Sequence, residues 1–204
     1  CLSSLFLWHD MSACDWFLRN SLAKSYHDNE WGVPVYDDGK MFEYLLMESM
    51  SCGLSWLLVL AKREIFAQCF AGFDFNEIAR FSDGDIRRIL ETPGMIRSER
   101  KVRAIVSNAK CFLKVRKEFG SFCDYLWRFT DGKSVVYRKL WNGILETRNE
   151  LSDRIAKDLK RRGFKYLGSV ILYSHLQGVG IFNAHSPDCP CYKNLLSRTR
   201  VEIR

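Results

Sequence analysis

Apolar residues along this chain recur at helical rather than alternating spacing. Over residues 39–52, Met41, Leu45 and Cys52 fall on one face, and Glu48 falls on the same face. Asp37-Asp38-Gly39 reads as the turn leading in and Gly53-Leu54 as the break at the end. Ser55 can cap a second helix from Trp56 to about Phe70; Gly72 ends it, and Asp74 can cap a short helix over 75–80. Ser82, with Asp85 three residues on, predicts a capping-box start for a helix over 83–91. A further helix beginning near Ser98 carries Val102, Ile105, Val106, Ala109, Phe112 and Leu113 on one face. Gly120-Ser121 starts a helix over about 122–129. Residues 130–150, with Asp131-Gly132 and Asn142-Gly143, lack a clear period and read as loop or weak hairpin. Ser152 caps a strongly basic helix to Arg162, closed by Gly163. The final helix, 169–179, is nearly all apolar, as a central core helix should be. Strand signals are almost absent and no repeat is found, so the expected fold class is all-α.

Composition narrows the partners. The chain has 204 residues, 47% hydrophobic and 14% aromatic, which fits a globular domain. No apolar run is long enough to span a bilayer, so no membrane is expected. The opening Cys1–Trp8 is apolar but short and lacks a basic start, so it is not read as a signal peptide. Met11 could be the natural start. Residues 1–13 are taken as an N-terminal extension, 14–192 as one domain and 193–204 as a tail. The net charge of +7 favours an anionic partner, nucleic acid or a membrane surface. Of eight cysteines, Cys52, Cys69 and Cys111 sit in apolar helical patterns, unlike a secreted disulfide framework. That scatter points to a reducing cytoplasm.

Three groups of residues carry candidate chemistry. The run Tyr26-His27-Asp28-Asn29-Glu30-Trp31-Gly32-Val33-Pro34 packs two aromatics, a histidine and acids into a short, loop-like stretch. It reads as a site or, equally, as a surface turn with a satisfied histidine. Cys14 and His27 at one end, with His185-x3-Cys189 at the other, make a Cys2His2 set that fits a structural zinc, with Cys191 as a rival to Cys189. Such a metal would tie two irregular segments together. Pro93-Gly94-Met95-Ile96 between two helices resembles a helix-hairpin-helix, whose turn points backbone N–H groups at a DNA phosphate. Gly94, Ile96, Arg97, Arg100 and Lys101 are the expected DNA-binding residues, with Arg103 adding charge. A plain αα-hairpin with a solvated basic face is the alternative. Glu48 on an apolar face is expensive to bury without a partner; periodicity does not fix burial, and the plainer reading is a partly exposed glutamate at the edge of the stripe or a hydrogen-bonder to a nearby turn.

Together the motifs resemble the bacterial-type DNA-3-methyladenine glycosylase I (Tag) family. The matching stretches are Cys14-Asp15-Trp16, Tyr26 through Pro34, Glu48, Gly53-Leu54-Ser55-Trp56, Lys62-Arg63-Glu64, Arg161 through Gly168, and Asn183-Ala184-His185 through Cys189. They cover about residues 14–192. The resemblance implies an all-helical helix-hairpin-helix glycosylase fold with one structural zinc on Cys14, His27, His185 and Cys189. It implies a damaged-base pocket around Glu48, Tyr26, Trp56 and Trp16, with Glu48 the candidate catalytic residue. It further implies a monofunctional enzyme that flips out and excises 3-methyladenine from alkylated double-stranded DNA, leaving an abasic site. A monomer is expected. The pattern departs at Ala23, where the family usually has an aromatic, and at Ser49-Met50-Ser51-Cys52 after Glu48. A zinc-stabilised DNA-binding protein with lost or altered turnover is the alternative, and a metallohydrolase using the Cys/His set a third reading.

Overall fold

The computed structural model describes residues 14, 17–18, 20–138 and 146–204. Its centre is α2, Asp38–Ser51, whose Asp37 N-cap accepts from the Lys40 N–H. From Met41 to Ser51 every α2 residue except Glu43 is buried, more than a single apolar stripe would require. Around α2 pack α7 (Glu99–Phe119), α8 (Phe122–Trp127) and α10 (Ser169–Gly178). The start of α2 is pinned to the start of α8: the Asp38 carboxylate accepts from the backbone N–H groups of Phe122 and Cys123 at 3.1 and 2.9 Å. These are donors that a helix start leaves unsatisfied.

Most helices expected from the sequence are present. α5 (Phe75–Ile78) is capped by Asp74, and α6 (Asp83–Glu91) has the Ser82–Asp85 capping box. The stretch from Trp56 is two helices rather than one. α3 (Trp56–Leu60) starts on the Ser55 cap and breaks at Ala61-Lys62, and α4 (Arg63–Cys69) resumes. α9 (Glu150–Arg161) starts at Asn149, which forms the capping box with Ser152, so Ser152 is the third helical residue and not the cap.

Four elements were not expected. Residues 21–29 form α1 (Ser21–Asn29), capped by Asn20, so the first half of the Tyr26–Pro34 run is the end of a helix. Only Ala23, Tyr26 and His27 of α1 are buried, too few to produce a legible period. α11 (Pro190–Leu196) runs across the boundary expected at residue 192, and the segment expected to be a tail contains β2 (Val201–Ile203). β2 pairs in parallel with β1 (Ser134–Val136), Ser134 opposite Val201 and Val136 opposite Ile203. Three-residue strands joined across so long a separation leave no local signal. Asn142-Gly143 lies outside the described residues. No helix among the described residues is long and apolar enough to cross a membrane.

The end of α10 seats the segment that follows α1. Gly180 has φ +76°, and a Cβ there would lie 2.6–2.7 Å from backbone atoms of Gly32, Val33 and Pro34. Only glycine allows that approach. Gly32 N–H donates to Gly178 O at 3.3 Å and Val35 N–H to Val179 O at 3.1 Å.

Candidate active site

A cleft of about 520 Å³ opens between α1, the C-terminal end of α2, the turn after it and α10. Tyr26, Trp31, Glu48 and Trp56 line it, with Ser51 at the end of α2, Leu54 from the turn that follows and Val170, Ile171, Ser174 and Gln177 from α10. Three residues selected from the sequence, Tyr26, Glu48 and Trp56, therefore meet at one site. Trp16 lies outside the described residues. Tyr26 and Trp56 pack in a tilted contact, with ring centroids 5.4 Å apart and planes inclined by 50°. The Trp56 indole N–H is buried and has no hydrogen-bond partner among the described residues.

Glu48 is 6% exposed, so it is not a partly exposed glutamate at the edge of a stripe. Its place in the last turn of α2 sets the carboxylate at the wall of the cleft. Ser51 Oγ donates to the Glu48 carbonyl at 2.8 Å and lies 3.3 Å from its Oε2. Burial pushes the carboxyl up to about 8, with the Ser51 hydroxyl opposing part of the rise. Ser51 belongs to the departure after Glu48, which therefore does reach the cleft. The other departure does not: Ala23 is fully buried on α1 and is not among the lining residues.

Behind Tyr26 stands a charged scaffold. Arg63 forks onto Glu30 with two hydrogen bonds of 2.8 Å, and the Tyr44 hydroxyl donates to the same carboxylate at 2.8 Å. Burial alone would raise the Glu30 carboxyl, but the hydrogen bonds from Arg63 and Tyr44 outweigh it and bring it down to about 2. Tyr44 in turn packs edge-on to Tyr26 at 6.2 Å. Glu30 and Arg63 thus support a wall of the cleft without lining it.

The basic hairpin residues divide. Gly94 takes a positive φ of 81° in the α6–α7 turn, Arg97 and Arg100 are exposed, and Ile96 packs on the core. Arg103 is engaged with Asp83 and Glu99. Lys101 is buried, and its ammonium donates to Met50 O at 2.8 Å and Cys52 O at 2.6 Å, so it does not face a DNA backbone. A second hairpin, α9–α10, went unrecognised. Its turn, Arg162 to Gly168, is clamped by buried Asn108, which accepts from Lys165 N–H at 2.8 Å and donates to Lys165 O at 2.9 Å. Lys157, Lys160 and Lys165 are exposed around a shallow groove there. The signal was in the sequence, as a basic helix, a glycine and a second helix.

Cys14, His27, His185 and Cys189 form one buried cluster, their candidate ligand atoms within 4.8 Å of one another. Cys189 Sγ lies 3.4 Å from His185 Nδ1 and 3.7 Å from His27 Nε2, and Cys14 Sγ 3.7 Å from His185 Nδ1. Sulfur–nitrogen edges of a tetrahedral zinc site are about 3.5 Å for Zn–S of ~2.3 Å and Zn–N of ~2.0 Å, so the donor set fits such an ion. The opposite ring nitrogens are oriented as metal-binding histidines usually are: His27 Nδ1 is 2.8 Å from Asp28 Oδ1, and His185 Nε2 is 3.1 Å from Trp31 O. Burial pushes the His185 imidazole down to about 4, towards the neutral form that ligates. Trp31 joins this cluster to the cleft: it lines the cleft and packs on His185 with centroids 4.5 Å apart.

A family model described as methyladenine glycosylase matches residues 16–192. The chain belongs to the methyladenine glycosylase family. Among its curated relatives, the DNA-3-methyladenine glycosylase 1 of Escherichia coli strain K12 is 38% identical over 89% of this chain and 97% of its own length. The DNA-3-methyladenine glycosylase of Haemophilus influenzae is 38% identical over 87% of this chain and 96% of its own. A solved structure of 3-methyladenine DNA glycosylase I from Staphylococcus aureus, described as the basis of 3-methyladenine recognition, superposes with a TM-score of 0.80. It is 35% identical and covers 84% of this chain and 92% of that one. The glycosylase family membership and the helical fold therefore agree with the resemblance carried by the motifs.

Proposed function

We propose that this chain is a monofunctional DNA glycosylase that excises 3-methyladenine from alkylated DNA. The observation that carries the proposal is the meeting of Tyr26, Trp56 and a buried Glu48 around one base-sized cleft in a member of this family. A base inside a duplex cannot be reached, so the nucleotide is flipped out. Tyr26 and Trp56 offer ring faces to the flipped base, and a base made cationic by methylation gains from aromatic faces and a carboxylate together. The Glu48 carboxylate accepts from the exocyclic amine of adenine. The bond broken is the one between C1′ and the base nitrogen. Its electron pair leaves with the base, which departs neutral, while water adds to C1′ and loses a proton. The bond to a charged base is already weak, so tighter binding of the departing base can supply much of the rate.

The two hairpins are the surfaces offered to DNA. The α6–α7 turn offers Gly94, Ile96, Arg97 and Arg100, while the α9–α10 turn offers the lysines and leads directly into the helix that lines the cleft. Leu54, 41% exposed on the Gly53 turn at the cleft mouth, is shaped to fill the gap left in the base stack. The Cys14, His27, His185 and Cys189 donors would hold one structural zinc, and four protein ligands leave no position for a catalytic water.

The test is release of free 3-methyladenine from methylated duplex DNA, separated by chromatography. Release by the wild type is expected, and Leu54→Ala is expected to lower the rate on duplex substrate about tenfold while sparing a single-stranded one. No release by a protein that still binds duplex would overturn the proposal in favour of a DNA-binding module on the same scaffold.

A further inference from the structure

Lys101 sits in the first turn of α7, two residues into a helix whose start carries the exposed Arg100, yet it is only 9% exposed. Its Nζ reaches across to the far end of α2, donating to Met50 O at 2.8 Å and to Cys52 O at 2.6 Å. Carbonyls at the end of a helix have no partner within it, and a cation there also complements the helix dipole. A buried ammonium is costly unless its protons are engaged, so the two carbonyls hold the lysine as firmly as the lysine holds them.

The carbonyls it closes flank the last residue of α2, which lines the cleft. Between them is Ser51, whose hydroxyl contacts both the carbonyl and the carboxylate of Glu48 and whose own carbonyl accepts from Leu54 N–H at 2.6 Å. Immediately after Cys52 the chain turns through Gly53, at φ +76°, to the Ser55 cap and Trp56. The last turn of α2 and the turn beyond it therefore set Glu48, Leu54 and Trp56 relative to one another.

We propose that Lys101 is a positioning residue for base excision, fixing the end of α2 so that Glu48 and Trp56 are held in register around the flipped base. This rests on the glycosylase reading above. Displacement of about 1 Å in groups that hold a reacting substrate can cost roughly 10²-fold in rate, so an effect on release is expected even though Lys101 does not line the cleft. The arrangement also links the DNA-facing hairpin to the cleft: neighbouring residues of one helical turn point outward as Arg100 and inward as Lys101.

Lys101→Met and Lys101→Arg test the assignment. Single-turnover release of 3-methyladenine from methylated duplex is measured together with duplex affinity at several salt concentrations, at a temperature well below each variant's own melting point. The methionine variant is expected to release base at least about tenfold more slowly, with duplex affinity and its salt dependence unchanged. The arginine variant is expected to be slowed as well, because a planar fork cannot replace one point donor on two converging carbonyls. A wild-type release rate in either folded variant overturns the proposal. So does weaker duplex binding in Lys101→Met with a salt slope reduced by about one, the signature of a phosphate contact. If the methionine variant does not fold, the arginine variant decides alone, since arginine would preserve a phosphate contact and lose only the carbonyl closure. A wild type that binds methylated duplex and releases nothing would overturn the glycosylase reading itself, a result distinct from wild-type and variant rates that coincide.

Discussion

Glu48→Gln is expected to fold normally and to release 3-methyladenine between about tenfold and 10²-fold more slowly than the wild type. The substitution keeps the shape and removes only the charge that meets a cationic base, and a hydrogen bond to a charged group is worth about 1.5–3 kcal/mol. Unchanged release by the glutamine variant would remove Glu48 from the role given to it. The pH profile follows from burial, which raises the carboxyl to about 8 in the free protein. If the carboxylate is the competent form, kcat/KM rises with pH and levels off above about 8. Once the cationic base is bound, it favours the ionised form, so the rise in kcat lies at lower pH. Glu48→Gln should lose both rises. Stability moves the other way. Between the ordinary value of 4.5 and about 8 the folded chain keeps a proton that the unfolded chain has lost, so stability falls as pH rises through that window. The glutamine variant is therefore expected to be the more stable protein at pH 8, measurable by urea denaturation at two pH values.

Loss of the Cys/His centre is expected to act on stability and to spare chemistry. Cys14→Ala, or prolonged chelation, should lower metal content from one zinc per chain and reduce the melting temperature by about 10 °C or more. Loss of several kcal/mol produces a shift of that size in a domain of this length, at about 2–4 °C per kcal/mol. Release per folded molecule, measured well below the lowered melting point, should stay within a few-fold of the wild type. An unchanged melting temperature with full metal content would contradict the ligand set. A large loss of release with an unchanged melting temperature would instead favour a hydrolytic metal.

The sequence made most of the helical frame legible because its caps are local. Ser82 with Asp85, Asp74 and Ser55 mark helix starts within three residues, and all three hold in the structure. α1 was hidden because its buried residues are few and include a histidine and a tyrosine that serve sites rather than a stripe. The β1–β2 pair was hidden because register between residues 134–136 and 201–203 is a tertiary fact. Within the site, residue type alone left Tyr26 and Glu48 undecided; the resemblance to one family grouped Tyr26, Glu48 and Trp56, and the three line one cleft. Residue type failed for Lys101, because a lysine among arginines reads as surface charge until the carbonyls opposite are seen. It also missed Val170, Ile171, Ser174 and Gln177, whose helix looked like plain core on every face.

The buried cluster has a consequence for the order of events at the ribosome. His185 emerges 171 residues after Cys14 and Cys189 162 residues after His27, yet the four close into one cluster. Trp31, which lines the cleft, leans on His185. A nascent chain can therefore carry Tyr26, Glu48 and Trp56, fold α2 around its early neighbours, and still lack a seated wall for the base. The cleft is completed by a late, long-range closure rather than growing with chain length, so an interrupted translation product would carry several of its lining residues without the finished cleft.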